Sequence, residues 1–252
     1  MSQSTKSHIV GMLKSHNVHI KKQFGQNFLI DDNVLNKIID TATIDEHTLV
    51  IEIGPGLGSL TKFLLNKAKK VLAYEIDQKL IPILEDYFQE ADHFVLIPDD
   101  ILKRNIDEDL KPHLKGIDNI VVVANLPYYI TTPILMKCLE ESSLINRYIV
   151  MMQLEVARRL TARENTKDYN ALSVAIQYRT ETSFSFKVPK NVFIPAPNVE
   201  SAVIRLDVKN ETVLDSTLEP FFYDFIRQAF KQRRKTLLNN LSTAYQLDKP
   251  TV

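Results

Sequence analysis

Cysteine is nearly absent: Cys138 is the single one among 252 residues. One thiol excludes an intrachain disulfide. It falls in the apolar, helix-like run 134–139, where a small buried thiol is a better reading than a nucleophile. Long hydrophobic runs are missing as well. No stretch approaches the ~18 apolar residues of a membrane-spanning helix, and no signal-peptide pattern opens the chain. A soluble, cytoplasmic protein with no membrane partner is therefore expected. An excess of charge is also lacking: 31 basic and 31 acidic side chains leave a formal net charge of zero. Overall charge thus gives no reason to expect a polyanion partner. Glycine is scarce. Of six in the chain, three lie at positions 54, 56 and 58, and none follows Gly116. Backbone freedom is concentrated at one place, which marks a segment that needs it.

The charge that is present is unevenly distributed. Residues 1–30 hold Lys6, Lys14, Lys21 and Lys22 with no acid, and residues 227–240 hold Arg227, Lys231, Arg233, Arg234 and Lys235, again with no acid. Two basic patches on a neutral chain suggest local contact with phosphates; solvated surfaces are the alternative. Hydrophobic residues make up 44% of the chain, enough for a core in one large α/β domain and a smaller second one.

Apolar runs at 48–53, 71–76, 94–97 and 119–124 read as buried strands. Between the first two, Leu60, Phe63, Leu64 and Ala68 recur at helical spacing over 59–70. A helix after Asp77 would turn Leu80, Ile81, Leu84 and Phe88 inward, with Asp77 as its cap and Pro82 disturbing its start. Buried strands alternating with helices predict a parallel sheet covered on both faces. A helix beyond Pro133, a strand at 148–152 and helices near 154–161 and 172–178 follow. Residues 183–188 and 202–208 read as strands, a hairpin at the sheet edge. After the polar stretch 209–216, basic amphipathic helices are expected at 218–231 and 234–245. The predicted domains are 1–208, binding a cofactor and carrying out catalysis, and 209–252, small and all-helical.

The glycines stand in Glu52-Ile53-Gly54-Pro55-Gly56-Leu57-Gly58, after a strand and before a helix. Such a loop permits a tight turn and close approach of backbone to a ligand. The third glycine comes one position too early for the dinucleotide fingerprint G-x-G-x-x-G. The spacing resembles instead the S-adenosylmethionine loop of class I methyltransferases. Glu75, ending the second strand, can accept hydrogen bonds from ribose hydroxyls. That feature suits NAD equally, so a dehydrogenase remains a rival. Asp100 follows the third strand, placed to take an adenine amino group or to act as a loop cap.

Asn125-Leu126-Pro127-Tyr128 follows the fourth strand, at the carboxyl edge where such sheets bind ligands. An exocyclic adenine amine is a poor nucleophile because its lone pair is delocalised into the ring. Acceptors on its hydrogens, the Asn125 side-chain oxygen and the Leu126 carbonyl, would draw the nitrogen toward a tetrahedral shape. Pro127 would fix the direction of that carbonyl, and Tyr128 offers a face for stacking a base. Alone, the tetrapeptide could be an ordinary turn.

With both motifs in hand, the chain resembles the ribosomal RNA adenine N6-dimethyltransferase family, closest to the branch acting on small-subunit RNA. The resemblance runs through residues 24–29, the glycine loop, 125–134, 153–159, 188–189, 193–203 and 230–237. It implies a Rossmann-like class I methyltransferase sheet with a small C-terminal all-helical domain that docks RNA. S-adenosylmethionine is the implied methyl donor, with no metal. The implied reaction is dimethylation of two adjacent adenines near the 3′ end of small-subunit ribosomal RNA, on a small-subunit particle during ribosome biogenesis; a monomer is the simpler expectation for the chain.

The resemblance also assigns residues. Asn27, Leu29, Gly54, Gly56, Glu75, Ile76, Asp100, Ile101 and Asn125 would line the cofactor pocket. Asn125, Leu126, Pro127, Tyr128 and Phe193 would form the catalytic site, with Phe193 facing Tyr128 across a flipped adenine. Read on its own residues, Phe193 is a core phenylalanine before a proline-rich turn, and 26–29 is a turn before a helix capped by Asp31 or Asp32. Lys21, Lys22, Lys231, Arg233, Arg234 and Lys235 would meet RNA. The sequence departs from the family pattern at Asp99, where a glycine or small polar residue is usual. Relatives also continue with further helix beyond the equivalent of Val252, which implies an incomplete C-terminal domain. Two rivals share the motifs: a large-subunit dimethylase of the antibiotic-resistance type, and an RNA-binding assembly factor whose catalysis is dispensable.

Overall fold

The computed structural model describes residues 4–16, 27–127, 129–211, 213–215, 217–232, 234–248 and 250. The chain begins with α1 (Thr5–Ser15), β1 (Phe28–Leu29) and α2 (Asp32–Ala42). It continues through β2 (Thr48–Ile53), α3 (Ser59–Leu65), β3 (Lys70–Tyr74), α4 (Ile81–Tyr87) and β4 (Phe94–Ile97). Then come α5 (Ile106–Leu110), β5 (Asn119–Asn125), α6 (Thr131–Glu141), β6 (Arg147–Gln153), α7 (Leu154–Leu160) and α8 (Ala171–Arg179). The last elements are β7 (Thr180–Val188), β8 (Phe193–Ile194), β9 (Ser201–Val208), α9 (Glu219–Ala229) and α10 (Leu237–Tyr245).

Seven strands form one sheet in the order β4-β3-β2-β5-β6-β9-β7. The pairings from β4 to β6 are parallel, and β9 joins β6 antiparallel. This is the α/β sheet expected, with 183–188 and 202–208 at one edge. Every residue of β2 is buried, as a strand covered on both faces requires. On one face, Leu35, Ile38 and Ile39 of α2 pack with Val50, Val121, Val123 and Ile149 of the sheet. Asp31 starts α2 by accepting from the amides of Asn33 and Val34, both at 3.0 Å.

Several element ends differ from expectation. β3 stops at Tyr74, leaving Glu75 and Ile76 beyond the strand. α3 stops at Leu65, although Ala68 remains buried. Asp77 does not cap α4, which starts at Ile81 with Pro82 in its first turn, where a missing N–H leaves no bond unmade. The basic residues expected in two helices lie largely between them. α9 ends at Ala229, and α10 begins after Thr236, whose hydroxyl accepts from the Asn239 amide at 3.3 Å.

Two compact units result: residues 1–157 with 183–208, and residues 158–182 with 209–252. Residues 158–182, expected in the first domain, belong to the helical unit. Within that unit the ring of Tyr178 in α8 packs at a tilt against Phe222 of α9 with centroids 4.4 Å apart, and Arg179 pairs with Glu219. Among the described residues no helix is long and apolar enough to cross a membrane.

Candidate active site

Strand register assembles the site. Ile53 pairs with both Tyr74 and Ala124, and Tyr74 pairs with Ile97. The residues that come next, Gly54, Glu75, Asp99–Asp100 and Asn125, therefore emerge side by side at the carboxyl edge. The chain proceeds from β2 to β3 and β4 on one side and returns through β5 and β6 on the other. The resulting crevice beside β2 is where such sheets bind ligands.

A cavity of about 160 Å³ opens there. Asn27, Leu29, Gly54, Gly56, Glu75, Ile76, Asp100, Ile101 and Asn125 all line it, together with Leu126 and Pro127. Phe193 does not. It is buried in the core with Leu29, Ile38 and Val203. The two-residue strands β1 and β8 pair antiparallel and set Leu29 opposite Phe193, so the core position of Phe193 supports the wall carrying Leu29. Tyr128, Lys21, Lys22 and Arg233 lie outside the described residues. Lys231, Arg234 and Lys235 are exposed between α9 and α10 in the helical unit.

The glycine loop is held by Glu75. Its Oε2 accepts from the Gly56 amide at 3.1 Å and its Oε1 from the Asp77 amide at 2.9 Å. Each carboxylate oxygen retains capacity for a second donor. At Gly56 φ is +63°, and a Cβ would meet the Phe28 ring at 3.1 Å. Burial raises the pKa of Glu75 and the two amides oppose that rise.

Asn125 is oriented by one bond: its Nδ2 donates to the Asn27 carbonyl at 3.2 Å. With Nδ2 so engaged, Oδ1 is the side chain's acceptor, and Asn125 lines the cavity. Beyond it, the Pro127 carbonyl accepts from the Ile130 amide and the Thr131 hydroxyl, each at 3.1 Å, which pins the turn. Asp100 lines the cavity and is also the loop cap that its position allowed: its Oδ1 accepts from the Leu102 amide at 3.0 Å at the start of the short turn Ile101–Lys103. Asp99 also lines the cavity. It accepts from the Asp100 amide at 2.7 Å and lies 3.7 Å from Arg104.

Glu52 is a cavity residue that sequence reasoning passed over. It is buried, and among the described residues its Oε2 has no hydrogen-bond partner. Its pKa is pushed up to about 8, chiefly by burial, with the Glu75 charge adding to the rise and contact with Thr61 opposing it. The signal was an acid inside the otherwise apolar run of β2. Cys138 is a buried thiol raised to about 12 by burial, in keeping with a packing role. Among the described residues no group of three His, Cys, Asp or Glu could hold a metal ion.

Comparison with known proteins follows the same lines. The profile of the ribosomal RNA adenine dimethylase family matches residues 17–251. The ribosomal RNA small subunit methyltransferase A of Staphylococcus aureus (strain bovine RF122 / ET3-1) is 48% identical over 243 residues, covering 96% of this chain and 82% of that protein. A dimethyladenosine transferase from Plasmodium falciparum superposes with a TM-score of 0.73 at 27% identity, over 85% of this chain and 74% of its own. The 23S rRNA methyltransferase ErmE superposes with a TM-score of 0.70 at 28% identity, over 86% and 84% of the two chains. With its glycine loop, Glu75 and Asn125 gathered at one crevice and a profile match over nearly its whole length, the chain belongs to the ribosomal RNA adenine dimethylase family.

Proposed function

We propose that this protein transfers methyl groups from S-adenosylmethionine to the N6 amines of two adjacent adenines near the 3′ end of small-subunit ribosomal RNA. The observation that carries this reading is Asn125 in the cavity wall, its Nδ2 donating to the Asn27 carbonyl, which leaves Oδ1 as its acceptor for a target amine. The residues suit the methyl donor. Gly54 lines the cavity at φ +68°, and beyond its own chain neighbours no heavy atom lies within 4 Å of where its Cβ would stand, so backbone can be approached closely there. Glu75 is pre-oriented to accept ribose hydroxyls, and Asp100 has an oxygen for the adenine amine of the donor. When bound, that donor supplies a methyl group on a cationic sulfonium.

The protein's own contribution is placement. In the first transfer Oδ1 of Asn125 and the Leu126 carbonyl accept the two hydrogens of the target amine and draw its lone pair out of conjugation; in the second, the one remaining hydrogen has one of these acceptors. As the N–C bond forms the neutral thioether leaves, and the alkylated amine is cationic and acidic enough to pass the proton held at these neutral acceptors on to water without a strong base. In-line positioning of this kind can lower a barrier by ~7–11 kcal/mol. An adenine in a helix must first leave its stack, at a few kcal/mol. The aromatic face of Tyr128 is proposed to receive it, with a stacking contribution of ~1–3 kcal/mol. Lys231, Arg234 and Lys235 are proposed to meet phosphates of the same RNA.

Incubating the purified protein with S-adenosylmethionine and each ribosomal subunit, then mapping methylated adenines by mass spectrometry, tests this. Two adjacent dimethyladenines in small-subunit RNA are expected. Modification confined to large-subunit RNA would select the resistance-type activity instead. Calorimetry showing NAD binding without S-adenosylmethionine binding would reject methyl transfer altogether.

A further inference from the structure

In the helical unit, one buried polar side chain stands behind the basic connection. Asn240 in α10 is 6% exposed. Its Nδ2 donates to two backbone carbonyls, Ala229 at the end of α9 (2.8 Å) and Gln232 in the connection (3.3 Å). The Gln232 carbonyl also receives the Lys235 amide at 3.0 Å. Asn240 itself gives its backbone amide to the Thr236 carbonyl at 3.1 Å. One neutral side chain thus closes the helix end and ties it to the segment bearing Lys231, Arg234 and Lys235. Those three side chains are exposed, and residues 225–247 contain no acid. At the start of the segment, Phe230 meets Tyr169 edge-on with ring centroids 6.4 Å apart.

Affinity for phosphates grows with the number of cations engaged at once, and each engaged cation adds to the salt dependence of binding. A backbone free to change shape would present the same charges without their common geometry. We infer that Asn240 is a positioning residue for RNA docking, holding the connection at Gln232 so that Lys231, Arg234 and Lys235 are presented together. The inference rests on the proposal that this segment meets ribosomal RNA.

Asn240→Leu tests it, because leucine keeps the volume and every charge but makes neither donation. The expected result is a rise of about tenfold in KM for the small-subunit particle, with kcat and S-adenosylmethionine affinity unchanged. The slope of log binding constant against log salt should also shrink by about one, although no charge has been removed. In an Arg234→Ala, Lys235→Ala background the leucine should add less than about twofold, since it acts through those residues. A folded Asn240→Leu protein with unaltered KM and salt slope overturns the inference. Should the leucine variant fail to fold, Thr236→Ala loosens the same segment from the α10 side, and an unaltered KM in that variant overturns it equally. If the Arg234→Ala, Lys235→Ala protein itself binds the particle normally, the docking reading falls. If that protein binds weakly but Asn240→Leu does not, only the role of Asn240 falls.

Discussion

A carboxyl group inside an apolar strand makes stability depend on pH, and Glu52 is such a group. Folded, it keeps its proton up to a pH of about 8; its ordinary value is 4.5. Between those values the folded state binds one more proton at this site than the unfolded state, so stability falls as pH rises. The slope from one such group is about 1.4 kcal/mol per pH unit. Glu52→Gln removes it. The variant is expected to be more stable than the parent near pH 8, with the difference closing toward pH 5, as measured by urea unfolding across that range. Parallel pH profiles for the two proteins would show that Glu52 is not the titrating group. Glu75 remains in both, so its own raised pKa cancels in the comparison.

The turn from β2 into α3 is the element on which the cavity depends. Gly58 caps α3 at φ +77°, and a Cβ there would stand 2.6 Å from the Phe88 ring. A left-handed backbone costs a residue with a side chain roughly 1–2 kcal/mol before any clash is counted. Gly58→Ala is therefore expected to lower the urea midpoint by more than that strain alone, with the m-value unchanged. An unaltered midpoint would mean that the loop adopts another shape. Strands were legible because they are buried on both faces and read as continuous apolar runs. Helix ends were less so. The ends of α3 and α4 depend on local turns, and the start of α10 depends on the Thr236 cap, which the basic composition around it concealed. The pairing of β1 with β8 left no periodic trace, since two residues are too few to show one.

At the scale of the molecule, the chemical site and the proposed docking segment lie in different compact units, each with its own packing. This division predicts separable losses. Asn125→Ala removes an acceptor from the reacting amine and should slow methyl transfer by about 10²–10³-fold, by analogy with loss of one oxyanion-hole group. Its affinity for the small-subunit particle should stay near that of the parent, because the basic segment is untouched. Binding assays alongside single-turnover methylation separate these effects; loss of particle binding would refute the division. If cells carrying Asn125→Ala lost methylation yet matured their ribosomes normally, an assembly role would outweigh the chemistry.

The sequence by itself determined the α/β sheet, the glycine turn and the family, and it singled out Glu75, Asp100 and Asn125 as candidate acceptors at strand ends. These follow from local pattern: burial on both faces, backbone freedom at one turn, and a motif at a strand end. The tertiary structure alone decided what those groups face. It tied Asn125, through the donation from its Nδ2, to the Asn27 carbonyl far away in the chain, and left Phe193 in the core paired with Leu29. It also set Glu52 beside the cavity with a raised pKa, joined 158–182 to the helical unit, and placed Asn240 behind the basic segment. Each of these depends on contacts between residues distant in sequence, and neither composition nor periodicity encodes such contacts.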